Sequence, residues 1–487
     1  MKEYRYIGIL FLAIIGFTSC NKWLEIDPKD QVVDENLFED YRGFRNALNG
    51  IYTSLATSEL YGRELSWGLA SVLGQDYMAG EGDYTYQAAQ RYNYEYASLK
   101  SRLATMWSTA YNIIANCNKL IEETEKQDAS FFLYGEEEKG IILGEALAVR
   151  ALLHFDLCRL FAPAPALNDK KGYMPYRMNY SVEIASKWSA DQVLQQVAKD
   201  LLRAKDLVAP NDTILNRNML LNTSTVRLNG SGAVGGTFFG YRGVRLNYVA
   251  INGLLARVYM YAGDYTNAKH YAEYVYNKYA PDEDDNTSER WGFSTVSETT
   301  AKGKFSSDML FGLSNKNLVT DIANLVATFG RPLYLNGIKS SLENKDQDDY
   351  RWKLIYSDGG NEKCVKWDGT GVAGEDLSDR DYSIIPVIRL SEIFYILTEC
   401  YVKDGNATGA AEILNEVRKH RGESREIAAV SNDVLEDLHG EIRKEYMTEG
   451  QTFFFYKRLN QPIRVGIGVI PVGDKFVIPT PDSEDVY

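Results

Sequence analysis

Apolar residues recur at helical spacing along much of the chain. Between Ser189 and Pro210 they fall on one stripe, the pattern of an amphipathic helix: Val193, Leu194, Val197, Leu201 and Leu202. Ser189 and Gln192 predict a capping box at the start of this helix, and Pro210 predicts its end. A second long helix is predicted at 141–161, where most positions are apolar. The chain is therefore predicted to be mainly α-helical.

Two later segments repeat one pattern in the same register around Gly263 and Gly405. The matched residues are Leu255, Tyr259, Ala268, Ala272 and Val275 around the first glycine, and Leu397, Tyr401, Ala410, Leu414 and Val417 around the second. In tetratricopeptide (TPR) hairpins, large residues precede a small turn residue, and alanine follows it at a fixed spacing. Glycine ends the first helix, and alanine lets the second helix pack closely. The pattern predicts a TPR-like scaffold of helical hairpins.

Three long stretches interrupt the helical patterns, at 74–99, 211–243 and 281–381. They are rich in Gly, Asn, Asp, Ser and aromatic residues. Irregular loops of this length in a compact domain usually carry function. We expect these stretches to form a second face on the scaffold and to carry the binding function. Because no linker-like stretch separates the helical segments, residues 20–487 are predicted to form a single domain.

Residues 1–19 have the pattern of a lipoprotein signal peptide. Lys2 and Arg5 precede an apolar run at 7–17, and Thr18 and Ser19 lead to Cys20. The run is shorter than the roughly 20 residues of a membrane span. Lipidation of Cys20 is therefore expected, and a plain secretory signal with an incidental cysteine is the alternative.

Composition narrows the classes of partner. The formal net charge of −14 argues against nucleic-acid binding and against electrostatic docking on anionic lipid. The lipid anchor is then the only membrane contact expected. Four further cysteines lie far apart without a CxxC motif, so buried free thiols are predicted instead of a zinc site.

The chain holds 34 tyrosines, and several of them cluster at 77–96. If that segment is extended, alternating rings share one face and can stack on the flat C–H faces of sugars. Carboxylate and amide groups beside them could bind sugar hydroxyls. Packing of these rings in the scaffold is the alternative use of each one. The predicted ligand-binding residues are Asp76, Tyr84, Tyr86, Gln87 and Tyr92, with Trp291, Trp352 and Trp367 from the later loops.

Other chemical motifs are weak. The GxGxxG spacing at 230–235 lacks a good strand before it and an acid at the right distance after it, so a loop is predicted instead of a dinucleotide site. The acidic stretch 281–286 departs from the calcium-loop pattern; a solvated loop is predicted, with an irregular calcium site as the alternative. We predict no catalytic residue, no metal site and no cofactor.

Several ordered blocks together resemble the SusD/RagB family of nutrient-binding lipoproteins. The resemblance runs nearly end to end, although Gln451 and Thr480 depart from the family pattern. The blocks are 20–28, 47–52, 107–116, 145–155, 388–392 with 414–422, 442–458 and 478–481.

This resemblance implies a lipid-anchored, non-enzymatic protein of the outer membrane that faces the cell surface. It implies capture of a glycan, or alternatively a peptide, and delivery to a TonB-dependent transporter of the SusC type. An extracellular glycoside hydrolase and a TPR scaffold that binds only protein remain the alternative functions. The sequence shows neither a placed pair of carboxylates nor a nucleophile–base motif for the hydrolase.

Overall fold

The computed structural model describes residues 37–79, 83–222, 224–279, 292–294, 296, 303–329, 333–342, 346–367, 383–466 and 468–484. The signal peptide, Cys20, Trp291 and the acidic stretch 281–286 lie outside these residues. The fold is mainly α-helical, as predicted. The helices are α1 Tyr41–Leu55, α2 Leu69–Leu73, α3 Tyr84–Gln90, α4 Ala97–Lys126, α5 Gly135–Phe161, α6 Ala190–Pro210, α7 Arg217–Leu220, α8 Ser224–Asn229, α9 Thr237–Gly240, α10 Tyr248–Ala262, α11 Tyr265–Tyr279, α12 Leu318–Phe329, α13 Ile338–Leu342, α14 Leu390–Lys403, α15 Ala407–His420, α16 Ser431–Glu445 and α17 Gln451–Leu459.

Helix α5 lies in the centre of the helical layer, between α4 and α6. Every residue from Ile141 to Phe161 is buried. Most are apolar, and buried charged residues such as Glu145 and Arg150 are paired inside the fold. Gly140 lets α6 approach closely, because a Cβ there would lie 2.5 Å from the Leu207 carbonyl oxygen. The capping box predicted at the start of α6 is present, with Gln192 N donating to Ser189 Oγ at 3.4 Å.

Two helical hairpins carry the glycines singled out by the sequence repeat. Gly263 ends α10 and Gly405 follows α14, both with φ of 78° in the left-handed region. Ala268 and Ala410 are fully buried where the paired helices pack, which confirms their predicted burial. Helix α11 packs against α14 and joins the two hairpins. Their assignment as TPR-like repeats stays a prediction.

Short strands complete the fold. They are β1 Tyr77–Met78, β2 Met174–Pro175, β3 Lys187–Trp188, β4 Met309–Ser314, β5 Tyr334–Leu335, β6 Ile355–Asp358, β7 Asn361–Cys364, β8 Ile384–Arg389, β9 Ile463–Val465 and β10 Gly468–Ile470. β4 and β8 pair antiparallel beside the hairpins, with Gly312 opposite Pro386. β1, β5, β7 and β6 form a four-stranded antiparallel sheet in that order.

The long stretches predicted to be irregular hold short regular elements. The first contains β1 and α3, and the second contains α7, α8 and α9. The described parts of the third contain β4, α12, β5, α13, β6 and β7. The prediction of long irregular loops is wrong for the first two stretches and for these parts of the third, because their apolar residues are sufficient to bury short helices and strands. The four described cysteines are free and buried, as predicted: Cys117, Cys158, Cys364 and Cys400.

Buried ion pairs fasten the later loops to the last helices. Glu445 accepts from Arg351 at 2.9 Å and from Arg421 at 2.8 Å, and Lys444 lies 2.8 Å from Asp349. These side chains are fully buried, so their charges depend on one another. We name this set the charged cluster; its members are Asp308, Asp346, Asp349, Arg351, Arg389, Arg418, Arg421, Glu441, Lys444 and Glu445.

Candidate functional site

An open groove lies beside helix α1, and we name it the loop groove. Residues of α1, β4 and β8 line it together with segment 228–245. Its empty space is about 1710 Å³, counted out to the open side. Residues from separate parts of the chain line the groove along its open side, so it can accept an extended ligand. Its polar and aromatic side chains include Asn49, Tyr52, Thr53, Tyr241, Arg245 and Lys316.

Glycines shape the loop that borders the groove. Gly230 and Gly236 have φ of 65° and 80°, values that residues with a Cβ rarely adopt. The Asn216 side chain holds the loop through Val234, accepting from its N–H at 2.7 Å and donating to its carbonyl at 3.2 Å. The loop prediction for the GxGxxG spacing is confirmed, because helix α8, not a strand, precedes it.

Two buried arginines anchor this loop from beneath. Arg227 donates to the carbonyl oxygens of Met309 and Ser307 at 2.5 and 2.9 Å. Arg242 pairs with Glu145 of α5 and with Asp212. Burial alone would lower the pKa of Arg242, but the two carboxylates raise it instead. The loop is thereby fixed to both β4 and the central helix.

The floor of the groove presents aromatic rings around a guanidinium. Arg245 lies 4.3 Å from the ring centre of Tyr52 and 4.9 Å from that of Tyr241. Its Nη2 donates to Asn49 Oδ1 at 2.5 Å. Tyr241 is 42% exposed, whereas Tyr52 is buried. A flat ring beside hydrogen-bonding groups can stack on an apolar ligand face while its neighbours bind ligand hydroxyls.

The ring platform predicted at 77–96 does not form, because its backbone is not extended. Asp83 accepts from Tyr86 N at 3.0 Å and begins helix α3. Alternate residues of a helix point in different directions, so the predicted sharing of one face is wrong. Tyr84 is 66% exposed, and Gln87, one turn later, is half-buried. These two remain at the surface and share a face of α3.

The other predicted ligand rings in the described residues belong to the core. Tyr86 donates to Glu64 at 3.3 Å, and Tyr92 donates to Leu73 O at 2.9 Å. Trp352 donates to Asp346 O at 2.6 Å, and Trp367 donates to Thr448 Oγ1 at 2.9 Å. All four are buried. Scaffold packing, the alternative interpretation, is the correct one for these rings.

Asp76 is also a structural residue in this fold. It is fully buried, and its Oδ2 accepts from Thr448 N at 3.1 Å. Burial raises its pKa to about 6, since removing a carboxylate from water favours the neutral form. Asp76 therefore ties β1 to the end of α16 and does not face a ligand surface.

Sequence reasoning missed Tyr241 and Arg245. The available signal was aromatic residues directly after a run of glycines, at 238–241. Burial of Arg245 between two rings depends on α1, which lies far away in sequence. Within the described ranges, no group of three or more His, Cys, Asp or Glu side chains is arranged to hold a metal ion. No helix in those ranges is both long enough and apolar enough to span a membrane.

Two family models match the chain in succession. One, described as "Starch-binding associating with outer membrane", matches residues 22–219. The other, described as the SusD family, matches residues 254–464. Two SusD-like proteins of Formosa agariphila are 25% and 24% identical over 285 and 214 residues. These matches cover 58% and 42% of this chain but only 47% and 38% of the relatives, so the chain spans about half of their length or less.

Solved structures match over a larger share. A SusD superfamily protein from Bacteroides thetaiotaomicron superposes with a TM-score of 0.71 at 22% identity, covering 92% of this chain and 97% of that one. A SusD-like carbohydrate binding protein from Bacteroides vulgatus gives 0.68 at 17% identity, covering 92% and 96%. The fold is that of SusD-type proteins. The chain belongs to the SusD/RagB family.

Proposed function

We propose that this protein binds a glycan at the cell surface and delivers it, without cleaving it, to a TonB-dependent transporter of the SusC type. It is held on the outer membrane by lipid on Cys20. The loop groove is the observation that supports this proposal. It combines an exposed tyrosine ring with amide, hydroxyl and guanidinium groups along an open groove.

Glycan capture in the loop groove follows from the chemistry of its lining. The C–H face of a pyranose ring stacks on Tyr241, while Arg245, Asn49 and Lys316 donate to ring hydroxyls. Sugar hydroxyls are well solvated, and ordering a flexible glycan opposes binding, so affinity for a single chain is expected to be weak to moderate. The groove is preformed, which limits that ordering to the ligand.

Calorimetry against starch and other soluble polysaccharides tests this site. Tyr241→Ala should weaken, about tenfold, the binding of any polysaccharide that the parent protein binds. A tenfold loss corresponds to one good contact. Tyr84→Ala is the matched control, because it removes another exposed tyrosine from the surface at α3. If Tyr84→Ala abolishes binding and Tyr241→Ala does not, the ligand lies at Tyr84 and Gln87, as the sequence predicted.

Product analysis in the same experiments separates the alternative functions. Accumulation of shorter sugars with purified protein would replace the proposal by a glycoside hydrolase. Binding of peptides but no polysaccharide would favour the peptide ligand. Binding of protein partners alone would favour a scaffold.

Membrane attachment and transport require separate tests. Cys20→Ala should move the protein from the membrane fraction to the soluble fraction. Retention of the variant at the membrane would contradict the lipid anchor. Co-purification of a TonB-dependent transporter with the tagged, lipidated protein should succeed if delivery is direct.

A further inference from the structure

A second cavity lies among helices α5, α10, α14, α16 and α17, and we name it the tyrosine pocket. Its empty space, counted out through its mouth, is about 590 Å³. No residue lines both this pocket and the loop groove. The half-buried residues Glu392, Gln451, Phe455 and Arg458 mark its opening.

Three tyrosine hydroxyls in this lining have no hydrogen-bond partner within the described part of the chain. They belong to Tyr261, Tyr395 and Tyr446, which are only 4%, 3% and 6% exposed. Buried polar groups are nearly always paired, and an unpaired one costs about 1–3 kcal/mol. Burial raises the pKa of all three phenols, so each is a protonated donor at neutral pH. Three such groups around one cavity are available to hydrogen-bond a ligand.

The charged groups of the pocket are already paired. Arg257 binds Glu392, with Nε 2.6 Å from Oε1, and Arg458 binds Glu399 through two bonds at 2.8 and 2.5 Å. Arg159 is bonded to Asp156, with Nε 3.0 Å from Oδ1. An anion would have to compete with these carboxylates, and a cation with these guanidiniums. The pocket therefore favours a ligand without net charge.

The rest of the lining is apolar and partly aromatic. Phe155 and Phe454 are buried, and Ile396 and Met260 lie beside them in the lining. Aromatic and aliphatic surface suits the C–H faces of a ring, whereas tyrosine hydroxyls suit its hydroxyl groups. A neutral cyclic polyol offers both kinds of surface.

We propose that the tyrosine pocket binds one neutral monosaccharide, at a site separate from the loop groove. Tyr261, Tyr395 and Tyr446 hydrogen-bond its hydroxyls, and the apolar side chains of the lining contact its ring. The proposal does not depend on glycan binding in the loop groove, because the two sites share no lining residue.

Thermal shift and calorimetry with D-glucose, D-galactose, D-mannose and D-xylose test this site. The Tyr241→Ala background removes the proposed stacking ring of the groove, so that the two proposals can fail separately. At least one sugar should raise Tm at millimolar concentration. The double variant Tyr395→Phe with Tyr446→Phe should weaken that binding about tenfold or more, without lowering Tm in the absence of sugar.

Two further variants sharpen the result. Tyr456→Phe alters a buried tyrosine outside the lining and should leave sugar affinity unchanged. Ile396→Phe narrows the cavity and should abolish sugar binding even if the double variant retains some.

Four outcomes would overturn the proposal. The first is the absence of a Tm shift with all four sugars, and the second is binding that survives both the double variant and Ile396→Phe. Preference for glucuronate over glucose would show an anion site instead. Preference for free amino acids would show a zwitterion site.

Discussion

The charged cluster and the tyrosine pocket are neighbours built partly on the same two helices. The central carboxylate of the cluster is paired with several guanidiniums, whereas three hydroxyls of the pocket have no partner in the described residues. At the cluster, Glu445 of α16 accepts from Arg421 and also from the hydroxyl of Ser391 on α14. In the pocket, α14 supplies Tyr395, and Tyr446 directly follows α16, and neither hydroxyl has a partner in the described residues.

This difference separates a structural role from a binding role. The carboxylates of the cluster are satisfied by the protein itself, so removal of one member leaves opposite charges buried without a partner. The pocket hydroxyls are satisfied by nothing in the described part of the fold, so their removal costs the fold little. Single buried atoms without a partner in the described residues also occur outside the pocket, at Tyr456 and Arg418. The observation that points to a ligand is the presence of three such hydroxyls around one cavity.

The largest effect is expected when the cluster is broken at its centre. Glu445→Ala leaves Arg351, Arg389 and Arg421 without their shared carboxylate and should lower the free energy of unfolding by about 3–5 kcal/mol. Urea unfolding followed by circular dichroism measures it. The control is Glu412→Ala on the exposed side of α15, which should stay within about 0.5 kcal/mol. Equal losses of stability in the two variants would contradict a structural role for Glu445.

Acid should weaken the cluster in a defined range of pH. Burial opposes ionisation of Asp349, but Arg351 and Lys444 lower its pKa to about 2. The unfolded value is about 3.9, so its contribution is complete above about pH 4 and is lost as the pH falls toward 2, about 2–3 kcal/mol in all.

The difference in unfolding free energy between the parent protein and Asp349→Asn isolates this contribution, because the other titrating groups contribute equally to both proteins. The variant should be less stable at pH 7 and should approach the parent protein between pH 4 and pH 2. A constant difference across that range would show that Asp349 keeps an ordinary pKa.

Overpacking of a hairpin should give a smaller loss than charge removal. Ala410 is fully buried between α14 and α15, and Ala410→Leu should cost about 1–3 kcal/mol. The control is Thr408→Leu on the same helix, which should be tolerated because Thr408 is exposed. Thermal unfolding of both variants checks the difference, and an equal loss in the two would contradict close packing at Ala410.

The smallest effect is expected in the pocket. Tyr446→Phe removes a hydroxyl without a partner in the described residues and should leave the ligand-free protein unchanged or more stable by up to about 1 kcal/mol. A loss above about 1 kcal/mol would show that the hydroxyl has a partner in the fold. Urea unfolding without added sugar is the measurement.

Local signals in the sequence predicted the scaffold well. Ser189 and Gln192 lie three residues apart, and Ala268 and Ala410 occupy equivalent positions of a repeat, so their surroundings follow from helix geometry. Tyr86 and Tyr92 carry no comparable signal, because a tyrosine in a polar stretch gives the same local pattern whether it is exposed or buried. The Asp83 cap is itself a local signal, and it makes the segment helical in spite of the alternating rings.

The sites could not be predicted in the same way. The tyrosine pocket joins Tyr261, Tyr395 and Tyr446 from separate parts of the chain, and only helix packing brings them together. The loop groove pairs segment 228–245 with α1 across nearly two hundred positions, as the Arg245–Asn49 bond shows. Contacts of this kind depend on tertiary structure and leave no local pattern.

The anchoring of the groove loop by Arg227, Arg242 and Asn216 has a kinetic consequence. A loop fixed from both sides keeps its shape when empty, so no slow rearrangement separates encounter from binding. Association of the glycan with the groove is then limited mainly by diffusion and orientation. If affinity is weak, the bound glycan also dissociates quickly. Under the proposed delivery to a transporter, such rapid turnover is useful, because a tightly held glycan would block the next one.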